Sequence, residues 1–145
     1  MPTHHASRAG HTLVELVLVM CIMTLATLMG LRQFQLLMDR LATRDAVRAA
    51  ASIIGRARDE AVALHTPVSL RVDTLAGSLE LRSRDGPVAL APLRNTHGVA
   101  LSTTRDSITF DVRGLGYGTA NLTLVARRGR SADTLVVSRL GRTRY

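Results

Sequence analysis

Lysine and tryptophan are absent from this 145-residue chain, cysteine occurs once, and no proline stands between Pro2 and Pro67. The lone Cys21 excludes an intrachain disulfide, so cysteine usage says nothing about the redox compartment. Cys21 also follows Met20, where a lipobox needs a small residue, which argues against a lipoprotein anchor. All nineteen basic residues are arginines, a bias that genome base composition alone can produce. Much of the hydrophobic content sits in one N-terminal block, leaving roughly 80 residues for a folded head with a small core.

The residue patterns that carry catalysis are missing too. His4, His5, His11, His65 and His97 have no metal-ligand spacing, and Asp59 and Glu60 are adjacent on a helical stretch, so they point apart. The arginine- and glycine-rich stretches "RRGR" and "GLGYG" lack the strand–loop–helix setting of a phosphate loop. No serine or histidine belongs to a nucleophile motif. The expectation is no enzyme, no cofactor and no metal.

What is present begins with an apolar run, Leu13 to Leu31, broken only by Glu15, Thr24, Thr27 and Gly30. As a helix it rises about 28 Å, the thickness of a bilayer core, and it is longer than most secretory signal cores. Arg8 and the amino terminus favour an N-in orientation, but Arg32, Arg40 and Arg44 flank the other end, so charge decides orientation weakly. Beyond the run, Leu37, Leu41, Val47, Ala50, Ala51, Ile54, Ala57, Ala61 and Leu64 recur at three-to-four spacing. Arg44, Asp45, Arg48, Arg56 and Asp59 occupy the other face. One helix from about His11 to Leu64 is expected, stopped by Thr66-Pro67.

After Pro67 the period becomes two: Val68, Leu70 and Val72; Leu79 and Leu81; Ile108, Phe110 and Val112; Leu122 and Leu124 alternate with polar neighbours. "TLVVS", Thr134 to Ser138, is a further β-rich run, and "AGS", "RDGP" and "GLGYG" supply turns. Val88 to Leu101 is poorly patterned and reads as a loop with one short strand. The fold class is α+β: a long N-terminal helix whose amphipathic half packs on a small antiparallel β-sheet head.

Glu15 raises the sharpest question. A carboxylate deep in a bilayer costs on the order of 3 kcal/mol. One answer places it at the membrane edge, where that cost is small. The other has it awaiting a positive partner from another chain.

The stretch "GHTLVELVLVM" resembles the class III signal of type IV pilins and pseudopilins, with Gly10, Thr12, Leu13, Glu15 and Leu16 at matching spacing. His11 departs from the pattern, standing where phenylalanine is usual. The resemblance implies cleavage between Gly10 and His11 by a prepilin peptidase, N-methylation of His11, and pairing of Glu15 with a neighbouring subunit's terminal amine. It divides the chain into a leader (1–10), a transmembrane half-helix (11–31), an amphipathic half-helix (32–64) and a β-rich head (65–145). It implies a single-pass bacterial inner-membrane protein with its head in the periplasm, later at the tip of a pilus or pseudopilus.

Two C-terminal stretches, "ITFDVRGLGYG" and "TLVVSRLGRTR", resemble the GspH/FimT group of minor pseudopilins and minor pilins. Residues 84–105 match nothing. One cysteine excludes the disulfide loop of major pilins, and Asp106 and Asp111 lie in or beside a strand, so no calcium loop is expected. The implied partners are other minor and major pilins or pseudopilins, the peptidase and the membrane.

DNA is the further candidate partner. From Arg113 to Tyr145 seven arginines face one acid, Asp133, so six of the eight net charges lie there. Gly141, Arg142, Thr143 and Arg144 match a Gly-Arg-x-Arg pattern that some FimT-type pilins use in DNA uptake. Arg127, Arg128 and Arg130, expected on a nearby loop, could help Arg142 and Arg144 grip phosphates. An ordinary solvated basic tail reads equally from the same residues, and no aromatic interleaving supports base stacking. A structural subunit of a secretion pseudopilus, a DNA-binding minor pilin and a secreted β-domain with an ordinary signal peptide stay open.

Overall fold

Without an internal proline, and rich in alanine, leucine and arginine, the N-terminal segment has strong local reasons to stay helical. The structure, a computed structural model, describes residues 12–117 and 121–145. Helix α1 covers Leu13–Ala63 without interruption. Thr12 Oγ1 accepts the backbone N–H of Glu15 at 3.3 Å, capping the first turn. At the far end Leu64 N–H donates to the Glu60 carbonyl at 2.9 Å. His65 then turns left-handed at φ 51°, two residues before Pro67.

The chain divides into two units, residues 1–35 and 36–145. In the first, every described side chain is exposed. In the second, α1 buries Thr43, Ala46, Val47, Ala50, Ile54, Ala57 and Ala61. This is the expected stripe, with Ala51 only partly buried against the core and two further differences. Leu37 and Leu41, 52% and 45% exposed, and Leu64 lie outside it, because close packing against the β-structure runs only from Thr43 to Ala61. Ala46 and Thr43 join it. Alanines make up most of the buried stripe, which lets the helix approach the sheets closely.

The head has two antiparallel sheets where one was expected. The first contains β1 (Val68–Asp73), β2 (Ser78–Ser83), β3 (Gly86–Ala91), β5 (Ser107–Phe110) and β6 (Gly116–Tyr117), in the order β3-β2-β1-β5-β6. The second contains β4 (Ala100–Thr103), β7 (Leu122–Arg128), β8 (Ser131–Val137) and β9 (Thr143–Arg144), in the order β4-β7-β8-β9. Alternation sets the inner faces. Val68, Leu70 and Val72 of β1 and Leu79 and Leu81 of β2 are buried, as are Leu122, Leu124 and Ala126 of β7. These residues and the helix stripe share one core around Phe110, the largest fully buried side chain.

Residues 84–105 are more regular than their sequence suggests. They form β3, a five-residue helix α2 (Leu93–His97) and β4. Both strands lie at sheet edges, and β3 has no fully buried residue, so little selects for a period of two. Strand β5 stops at Phe110 and not at Val112. Asp111 Oδ1 accepts the backbone N–H groups of Leu115 at 2.8 Å and Arg113 at 2.9 Å, which turns the chain and leaves Val112 exposed.

Candidate functional site

Gly10 and His11 lie outside the described residues. Glu15 sits in the first turn of α1, its carboxylate favourably placed near the positive end of the helix dipole. It makes no ion pair among the described residues. Exposed apolar side chains follow it, including Leu16, Val17, Leu18 and Val19. The helix contains an 18-residue window of mean hydropathy 2.3, none of it buried, so it is long and apolar enough to cross a membrane.

The C-terminal arginines do not form one patch. Arg127 and Arg128 end β7, and Arg130 follows Gly129 in the hairpin turn before β8, so they are strand and turn residues and not a free loop. Arg144 belongs to β9 and pairs with Val136, whereas Arg128 pairs with Ser131. The two groups therefore lie at opposite ends of β8, separated by roughly 17 Å at about 3.3 Å per residue. Arg128 is already engaged: its Nε lies 3.2 Å from Asp39 Oδ1, and its Nη1 donates to the His97 carbonyl at 2.8 Å. Arg127, Arg130, Arg142 and Arg144 are exposed and make no ion pair among the described residues.

Arg58, which the sequence did not single out, joins the two C-terminal motifs. From α1 its Nε donates to the Gly114 carbonyl at 3.1 Å and its Nη1 to the Gly141 carbonyl at 3.2 Å. The two turns also meet directly, Gly116 N–H donating to the Arg139 carbonyl at 3.0 Å. Gly141 is buried at φ 72°, and a Cβ there would stand 2.9 Å from Arg58 Nε and 3.2 Å from the Gly114 carbonyl oxygen. Only glycine fits that position. The hydrogen bonds from the Leu115 and Arg113 amides, with the Arg113 guanidinium nearby, hold the Asp111 carboxyl below its ordinary pKa of 3.8. The only sequence signal for Arg58 was its place four residues after Ile54, at the margin of the buried stripe.

Residues 46–141 match the sequence model of the family described as Type II transport protein GspH. The chain belongs to the GspH family. The matched span includes the buried stripe of α1 from Ala46 on, the first sheet, β4, β7 and β8 of the second, Arg58 and the two glycine turns that Arg58 bridges. The type IV minor pilin FimU of Pseudomonas aeruginosa (strain PAO1) has a similar fold, with TM-score 0.61, 17% identity, and coverage of 72% of this chain and 88% of that one. The minor pseudopilin EpsH from the Type 2 Secretion System of Vibrio cholerae is also similar, with TM-score 0.56, 13% identity, and coverage of 70% and 94%. No curated protein matches significantly in sequence. The long helix packed on antiparallel sheets is thus a pilin-like fold, carried here by a chain of the GspH family. Among the described residues no group of histidine, cysteine, aspartate and glutamate is arranged to hold a metal.

Proposed function

We propose that this GspH-family protein is a structural subunit that a prepilin peptidase cleaves between Gly10 and His11 and methylates at His11. Residues 11–31 then anchor it in the inner membrane with residues 32–64 and the head, 65–145, on the periplasmic side. It joins a type II secretion pseudopilus or a type IV pilus beside other minor and major subunits. The observation that carries this reading is a lone acid, Glu15, in the first turn of an exposed apolar helix whose C-terminal part belongs to a GspH head. An acid unpaired in the lone subunit gains a counter-charge when a neighbour's terminal amine meets it in an assembly.

Co-expression with a prepilin peptidase and sequencing of the product's N-terminus tests the processing step. A start at His11 is expected, and a start beyond residue 25 would point to an ordinary signal peptidase and overturn the reading. Glu15→Ala should reduce cross-linking to partner pilins and leave protease resistance of the head unchanged.

The exposed, unpaired Arg142 and Arg144 favour a second reading, a FimT-like minor pilin that binds DNA. Arg127 and Arg130 would add a separate contact from the other end of β8. Arg128 would first have to leave Asp39 and the His97 carbonyl to join them.

A further inference from the structure

Beside the β7–β8 turn, α1 and the hairpin line a half-open cleft of about 860 Å³. The helix contributes Leu36, Leu37, Arg40, Leu41 and Arg44, and the hairpin contributes Arg130 to Asp133. Arg40 and Arg44 are one helical turn apart and so share a face, as do Leu37 and Leu41. None of Arg40, Arg44 and Arg130 makes an ion pair among the described residues. Asp133 is the single acid in the lining, and its Oδ1 accepts the Thr134 N–H at 2.9 Å. Three arginines and one acid thus share the lining with three leucines.

We propose that this cleft binds the headgroup of an anionic phospholipid, with the phosphate against Arg40, Arg44 and Arg130 and the first acyl methylenes along Leu36, Leu37 and Leu41. The guanidinium fork matches phosphate oxygens. The leucines suit methylenes, and the lining offers no aromatic ring on which a nucleic-acid base could stack. The volume lies in the range of small-ligand pockets, roughly 300–1,000 Å³. The sequence supplies the source: Leu36 comes five positions after Leu31, where the apolar run ends. Basic groups beside a membrane span attract anionic lipid. The inference rests on the membrane anchor proposed above and goes beyond it.

The test uses the full chain in neutral detergent micelles, with dihexanoyl-phosphatidylglycerol and dihexanoyl-phosphatidylcholine as probes and native mass spectrometry to count bound lipid. The parent should prefer phosphatidylglycerol. Changing Arg40, Arg44 and Arg130 together to Gln should weaken that binding by roughly ten- to a hundred-fold. Ala132→Glu, which places a carboxylate in the cleft and removes no arginine, should weaken it in the same direction, and Arg142→Gln with Arg144→Gln should leave it unchanged. Equal binding of both lipids by the parent, or an undiminished preference in the triple variant, would overturn the proposal. Displacement of the lipid by equimolar inorganic phosphate would assign the cleft to free anions, and displacement by a short DNA duplex would assign it to nucleic acid; either overturns it. Carbonate extraction of membranes separates the two levels. A chain that stays in the membrane without lipid preference sinks this inference alone, and a chain that is extracted sinks the anchor and the inference together.

Discussion

Arg58 shows how one side chain can hold together segments far apart in sequence. It reaches from α1 to carbonyls 56 and 83 positions away. A half-buried guanidinium that loses its acceptors, or carbonyls that lose a charged donor, cost about 1.5–3 kcal/mol. Arg58→Ala should therefore destabilise the head by about 2 kcal/mol, read as a lower urea midpoint. Arg58→Lys, with a single ammonium to serve two carbonyls, should fall between. Gly141→Ala should cost about 2 kcal/mol or more, since it adds a left-handed penalty to a clash with Arg58 and Gly114. An unchanged midpoint in Arg58→Ala would show that the turns hold each other without the clamp.

At the scale of elements, the helix end and the long hairpin carry the main lessons. His65 closes α1 in a left-handed conformation that glycine adopts without penalty. His65→Gly should raise stability by about 0.5–1 kcal/mol, less than the full steric relief because glycine also enlarges the unfolded ensemble. A higher urea midpoint at unchanged slope is the expected result, and a lower midpoint would contradict it. The β7–β8 hairpin was legible as two β-rich runs, but its pairing was not. Register from Leu122↔Val137 to Arg128↔Ser131 places Arg130 at one end of β8 and leaves β9 at the other. That geometry divides five arginines that sequence proximity had grouped together.

Across the whole molecule, charge is the property that bears most directly on partners. Most of the excess positive charge follows residue 112, and apart from Arg113 in the turn after β5 it is spread over two ends of the second sheet. If the protein binds DNA, the arginines meet phosphates, because among the described residues no groove-reading helix accompanies them. The full chain in detergent should then bind labelled duplex non-specifically, with a dissociation constant on the order of micromolar or weaker at physiological salt. Arg142→Gln with Arg144→Gln should lower affinity and reduce the salt slope by about 0.9 for each phosphate no longer neutralised. The same change at Arg127 and Arg130 should act independently. No binding even at low salt would remove the DNA reading and leave the structural subunit.

The sequence by itself determined the long helix, the switch to a period of two after Pro67, most strands of the head and the odd acid at Glu15. Those features depend on neighbours in the chain: proline's missing N–H, the helical and strand periods of about 3.6 and 2.0, and a carboxylate's cost among apolar residues. Only the tertiary structure decided that the head has two sheets, that residues 84–105 form edge strands and a short helix, and that Leu37, Leu41 and Val112 lie outside the core. It alone committed Arg128 to Asp39, brought Arg58 to Gly114 and Gly141, and set Arg40 and Arg44 opposite Arg130. Each of those outcomes depends on which distant segment lies across the gap. An arginine's spacing in sequence carries no information about that, because its long side chain can satisfy a carboxylate, a carbonyl, a phosphate or water equally well.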